Sequence, residues 1–501
     1  MKKFLALLAF SSLLLASCID DDAQPPVFQV PVPTPINYTS GEADFSNFVA
    51  VGNSLTAGFS DGALFTAGQT ASYPNMMASS FAQAGGGEFT TPFMADNLGG
   101  ATLGGQPILG NRLFLSFASG SPLPAAVEGQ GTTEISNILS GPFNNMGVPG
   151  AKSFHLLAPG YGNVAGVPIG AANPYYARFA SSPNATVLGD AAAQAPSFFS
   201  LWIGNNDILS FATSGGAGID QQGNLDPSTY GGNDITDPNV FAGAYIGMLQ
   251  TLTAGGAKGV IANIPDVTSI PFFTTVPHNP IPLDAGTAAA VNGAYAAYNG
   301  GLAQLQAAGL ITAEELAKRT ISFSAGETNA AVIIDEDLTD LTAVNPALIN
   351  MRQATADDLV VLTARTFIGT LADPNNPTSI NGVAVPLGDQ WVLTPEEQGL
   401  ISNALTAFNQ TIDDAAASFN LAKVDANTFL KVINASGVPL ADGTTVTATY
   451  GTGGGFSLDG VHPSPRGYAL LANKFLEAIE NTYGATLPEV APEQFTGVYI
   501  E

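Results

Sequence analysis

Four short apolar runs constrain this chain more than any other feature. They are Phe45 to Gly52, Phe198 to Gly204, Lys258 to Ile264 and Leu421 to Val424. Each is too short for a helix, and short apolar runs bounded by turn residues read as strands buried on both faces. Helical patterns lie between and after them. Phe241 to Ala254 carries Tyr245, Met248, Leu249 and Leu252 at helical spacing and is stopped by Gly255-Gly256. A helix, a short glycine turn and a strand make the second half of a βαβ unit. Thr394-Pro395-Glu396-Glu397 is a capping box with Pro in the first turn, opening a long helix to about Phe419. Tyr468 to Tyr483 is a closing amphipathic helix. Strands alternating with helices predict an α/β chain whose sheet is mostly parallel, with helices on both faces.

The remaining segments are less regular. Residues 59–140 are rich in Gly, Ala, Ser, Phe and Pro, with one helix expected around Pro74–Ala84 and the rest a long excursion of loops. Asn145 to Ser153 leads into a helix-like run through Leu157. Within residues 267–390, Ala288 to Ala308 reads as a helix and Thr312-Ala313-Glu314-Glu315 as a second capping box. Asp335, Glu336, Asp337 and Asp340 form a carboxylate cluster. It lacks the glycine and spacing of an EF-hand, so a solvated acidic loop is expected rather than a calcium site. Gly437 to Gly455 resembles a hairpin. The expectation is one α/β domain over 43–501 with insertions at about 59–140 and 267–390; a separate second domain within 267–390 is the alternative.

The first 42 residues stand apart. Lys2 and Lys3 precede an apolar stretch from Phe4 to Leu15, of secretory length and too short to span a membrane. It ends Leu15-Ala16-Ser17-Cys18, which resembles the cleavage box of bacterial lipoproteins. Residues 1–17 are thus expected to be a signal peptide and Cys18 the acylated anchor to a membrane. Cys18 is the only cysteine, so no disulfide can form within the chain. The acidic triplet Asp20–Asp22 and the prolines that follow make 18–42 a tether. The expected location is the bacterial cell envelope, with the outer membrane and surface exposure favoured by the acidic triplet. A formal charge of −27 opposes nucleic acid as a partner.

Chemistry concentrates at two places. Phe48 to Gly52 ends in Asn53-Ser54, which puts a serine hydroxyl past a strand's carboxyl end, where open α/β sheets keep their ligand crevice. Turns also favour Ser and Asn for their own sake. The chain has three histidines. His462 follows Asp459 by three residues in Asp459-Gly460-Val461-His462-Pro463, a spacing that lets a carboxylate orient an imidazole base. Alone, that spacing also describes an ordinary turn. His155 is expected to pack within an apolar run, and His278 to face solvent.

In combination these residues resemble the SGNH/GDSL hydrolase family. The four blocks run in order: Gly52-Asn53-Ser54-Leu55, Gly150, Gly204-Asn205-Asn206-Asp207 and Asp459-Gly460-Val461-His462. The resemblance implies a three-layer sandwich with a flavodoxin-like sheet. It implies Ser54 as nucleophile, His462 as base and Asp459 as its orienting acid. The oxyanion hole would be the backbone N–H of Ser54 and Gly150 with the Asn206 amide. It further implies ester hydrolysis without metal or cofactor, on a lipid or small acyl ester or, alternatively, an acetylated polysaccharide. The insertion at 59–140 is expected to frame an acyl pocket. A surface-anchored binding protein on an inactive scaffold is the reading from another class. The family's first block carries Asp where this chain has Asn53; that position tunes Ser54 and is not the acid beside His462.

Overall fold

The computed structural model describes residues 36–500, apart from Ser119 and Pro377. The expected signal peptide, Cys18 and most of the tether lie outside the described residues. Five strands form the central sheet: β1 Phe48–Gly52, β2 Asn145–Gly147, β3 Phe198–Trp202, β4 Lys258–Ala262 and β5 Ala422–Val424. Their order is β2-β1-β3-β4-β5, and every neighbouring pair is parallel. The order reverses between β1 and β3, the switch point outside which such sheets hold ligands. Gly52 pairs with both Gly147 and Trp202, so the three strands around that point end level.

Both faces of the sheet are covered, which is why β1 and β3 are buried along their whole length. Val49, Val51, Phe199, Leu201 and Ile261 turn into one core, while Phe48, Ala50, Phe198, Trp202, Val260 and Ala262 turn into the other. The principal helices are, in chain order, α1 Ser54–Ala57, α2 Tyr73–Ala82, α3 Asn206–Thr213, α4 Pro238–Thr253, α5 Ala285–Ala307, α6 Ala313–Arg319, α7 Pro395–Phe419, α8 Ala426–Ala435 and α9 Pro465–Tyr483. On the first face, α4 and α7 pack through Phe241 and Phe408, whose rings stack at 4.2 Å. On the second, α9 brings Phe475 against Tyr73 of α2 at 4.5 Å and against Trp202 at 5.7 Å. Phe475 is fully buried. Truncating a ring of that kind to Ala costs about 3–5 kcal/mol.

Several expectations need correction. Strand β2 has no apolar signature; it is three residues long at the sheet edge, too short for periodicity to reveal. The helix-like run to Leu157 is a single 3-10 turn, Ser153–Leu157. Helix α8 has no counterpart among the expected elements, and the Gly437–Gly455 hairpin pairs only Val438–Pro439 with Thr445–Val446. Residues 59–140 are not one excursion, because α2 belongs to the second core. Residues 267–390 contribute Leu302, Ile333 and Val360 to the same core as Ile261 and Tyr245. Tyr38–Glu501 is accordingly one compact unit, not two domains.

The acidic cluster is also not simply a solvated loop. Asp335 is fully buried and bonded to Arg352, which pairs with buried Asp358 through Nη1 at 2.6 Å and Nη2 at 2.7 Å. The α7 capping box is complete: Thr394 Oγ1 accepts from Glu397 N, and Thr394 N donates to Glu397 Oε2 at 2.7 Å. The α6 box is half made. Thr312 caps Glu315 N at 3.0 Å, but the Glu315 carboxylate accepts from Thr339 and Arg319 instead.

Candidate active site

The β1 strand runs straight into α1. Asn53 caps that helix, its Oδ1 accepting from Leu55 N at 3.0 Å, and Ser54 is the first helical residue. Asn53 is fully buried, and its Nδ2 donates to Asn205 Oδ1 at 3.2 Å, tying the end of β1 to the end of β3. This explains what an amide does at position 53. It gives the turn an acceptor and reaches across the switch point with a donor, without placing a charge in the core.

From the far end of the chain, the loop before α9 brings its imidazole to the same point. His462 Nε2 lies 2.8 Å from Ser54 Oγ, and His462 Nδ1 lies 2.8 Å from Asp459 Oδ2. With the Nδ1 proton on the carboxylate side, Nε2 presents its lone pair to the hydroxyl. The side chains of His462 and Asp459 are only 14% and 13% exposed, so these contacts are shielded from water. Burial works against the Asp459 charge. The His462 ring and the N–H groups of His462 and Val461 outweigh it, holding the carboxyl at about 2.

A brace supports that acid which the sequence reading missed. Ser457 Oγ donates to Asp459 Oδ1 at 2.9 Å, and Gly62 N donates to Oδ2 at 3.1 Å. Asp61 N in turn donates to Ser457 Oγ at 2.9 Å, and Asp61 Oδ1 accepts from Leu458 N at 2.9 Å. Asp61 is buried in the left-handed region at φ 51°, and its carboxyl is pushed up to about 6, chiefly by burial. Its only sequence signal was an ordinary Ser-Asp-Gly turn. Phe59 lies against the His462 ring at 4.6 Å.

Asn206, at the start of α3, donates from Nδ2 to Ala151 O at 2.9 Å, one residue beyond Gly150. Gly150 lies in an exposed turn after β2 with φ 79°, a conformation open to glycine without strain. Neighbouring Asp207, fully buried, accepts from Ser153 N at 2.8 Å and Ser153 Oγ at 2.7 Å, fixing this turn to α3. Ser54, His462 and Asn206 line one pocket; Gly150 is not among its walls. Its apolar walls include Leu209, Val267, Ile270, Phe429, Ile433 and Phe456. None comes from 59–140, which corrects the expectation that this insertion frames the pocket. The walls come instead from the segments after β3, β4 and β5, whose carboxyl ends face the same crevice, and from the loop before α9.

The other histidines stand away from this pocket. His155 is stacked on Tyr161 at 4.7 Å and accepts from Lys152 N at Nδ1, and burial pushes it down to about 4. His278 is half-buried in its loop rather than fully solvent-facing.

No family model matches the chain, and no curated protein matches it. Among solved structures it is similar to an extracellular lipase from Streptomyces rimosus, with 12% identity and a TM-score of 0.27. The match covers 88% of this chain and 100% of the lipase. A backbone likeness that slight carries no argument about fold or activity. The fold rests on the parallel sheet itself, and the site on its own distances.

Proposed function

We propose that this protein is a serine ester hydrolase of the SGNH/GDSL type. The observation that carries the reading is the continuous relay Ser54 Oγ–His462 Nε2 and His462 Nδ1–Asp459 Oδ2, both links at 2.8 Å. Hydroxyl oxygen is a poor nucleophile until a base removes its proton. In the proposed reaction His462 takes the Ser54 proton as Oγ attacks the ester carbonyl carbon. The tetrahedral oxyanion meets the Asn206 amide and the backbone N–H groups of Ser54 and Gly150. Collapse breaks the carbonyl–alkoxy bond, and the alcohol leaves with the proton held by His462. Water, deprotonated by His462, then attacks the acyl-Ser54, and the acid departs as the serine is regenerated. Asp459 stays ionised throughout and stabilises the imidazolium.

The apolar pocket supports an acyl chain of several carbons as the group transferred. The acetylated-polysaccharide alternative has less support. Trp202 is 2% exposed and packed on Tyr73, and Trp391 stacks on Phe367 at 4.5 Å, so neither indole presents a free broad face for a sugar. Anchoring to the cell envelope through Cys18 belongs to the same proposal, and loss of membrane association in Cys18→Ser tests it.

A panel of nitrophenyl esters from acetyl to long acyl chains, beside acetylated glycans, tests the substrate class. Highest kcat/KM on a chain of several carbons is the expected result. Fluorophosphonate labelling separates enzyme from inactive scaffold. Labelling of Ser54 is expected, and a protein with no labelled serine would be the binding protein instead.

A further inference from the structure

We infer that Glu336, Asp389 and Glu397 form a binding site for a calcium-class divalent cation, which staples residues 267–390 to the ends of α3 and α7. One carboxylate oxygen from each of the three lies within 4.8 Å of the others. That is close enough for one ion to engage all three, and hard oxygen donors suit a hard cation.

The independent observation is at Glu397. This residue is 5% exposed, and its Oε2 is used by the α7 cap, accepting from Thr394 N at 2.7 Å and Thr394 Oγ1 at 2.9 Å. Its Oε1 is buried and meets no N–H or hydroxyl donor, and the Asp389 carboxyl stands within hydrogen-bond reach of the same side chain. An orphaned carboxylate oxygen in the interior is costly, and a metal ion is one of the few groups that satisfy it. Lys318 does not: its Nζ is engaged by Asp335 at 3.4 Å and by Glu396 at 3.6 Å.

The surrounding backbone is shaped to this cluster. After α3 the chain turns through Gly215 and Gly216, at φ 70° and 88°. A Cβ on Gly216 would stand 1.8 Å from Glu397 Oε1, and one on Gly215 would stand 2.1 Å from Asp389 O. The turn therefore closes on the acidic groups at a distance that only glycine allows. Glu336 is exposed, which leaves a path for an ion and room for waters to complete a shell of about six to eight oxygens. An ion here would fix the carboxyl end of the helix that begins with Asn206. The inference does not depend on the hydrolase reading, because its test reads binding.

The experiment uses the full chain, stripped with chelator, and terbium(III) as a calcium analogue. Trp391 is two residues from Asp389 and serves as the sensitiser. Saturable terbium luminescence that calcium displaces is expected, together with a calcium-dependent rise in Tm. Glu336→Gln and Glu397→Gln are each expected to weaken binding by about tenfold or more, as loss of a charged ligand should. Both variants should fold: Glu336 is exposed, and Gln at 397 can still serve the capping box. Wild-type affinity in either variant, or no saturable signal at all, overturns the site. A wild type whose Tm does not respond to calcium, beside a Glu397→Gln variant of higher Tm, would show a cluster held by shared protons, which also overturns it.

Discussion

His462 and Arg352 are both held by carboxylates, yet only His462 keeps a nitrogen turned towards a third side chain. Arg352 is 1% exposed between Asp335 and Asp358, each fully buried, and its guanidinium stays charged. All three of its nitrogens donate to partners that never change. His462 has one nitrogen committed to Asp459 and the other turned to Ser54 at the wall of a pocket. What separates a structural pairing from a site is one face left open to a third group.

Breaking each assembly should give different symptoms. Ser54→Ala is expected to lower kcat/KM on nitrophenyl esters by about 10⁴-fold or more with Tm unchanged. Full activity in that variant would remove Ser54 from the chemistry. Arg352→Met leaves two carboxylates buried without a counter-charge and should destabilise the fold by about 3–5 kcal/mol in urea unfolding. An unchanged midpoint would show that the pair is not structural. Asn206→Ala should cost about 10²- to 10³-fold in kcat with little change in KM. A loss confined to KM would make Asn206 a binding residue instead.

The acid itself gives a pH test. The folded Asp459 carboxyl, at about 2, lies below its ordinary 3.8. Its contribution is therefore complete above about pH 4 and is lost as pH falls towards 2. Wild type should lose about 2 kcal/mol more than Asp459→Asn across that window, measured by denaturant unfolding. The smallest effect is expected at position 53. Asn53→Asp keeps the cap acceptor, forces the Asn205 amide to become the donor and should change kcat by less than about tenfold.

What the sequence determined follows from local physics. Short apolar runs bounded by turn residues read as strands buried on both faces, and Thr394–Glu397 caps its own helix, so the parallel sheet and α7 were legible. Asp459 and His462 share one loop, and their pairing was readable from a spacing of three residues. Other features were decided by the tertiary structure, because they join groups distant in sequence. Strand β2 is defined by its neighbour Gly52, not by its own residues. Asp61 braces Asp459 from 398 positions away in the chain. Asp335, which reads as part of an acidic loop, is buried because Arg352 is folded onto it. The pocket walls come from segments after β3, β4 and β5 that converge only when the strands align. Ser54 and His462, 408 residues apart, meet for the same reason: a parallel sheet brings its carboxyl ends to one edge, and periodicity along the chain carries no record of which loops will share it.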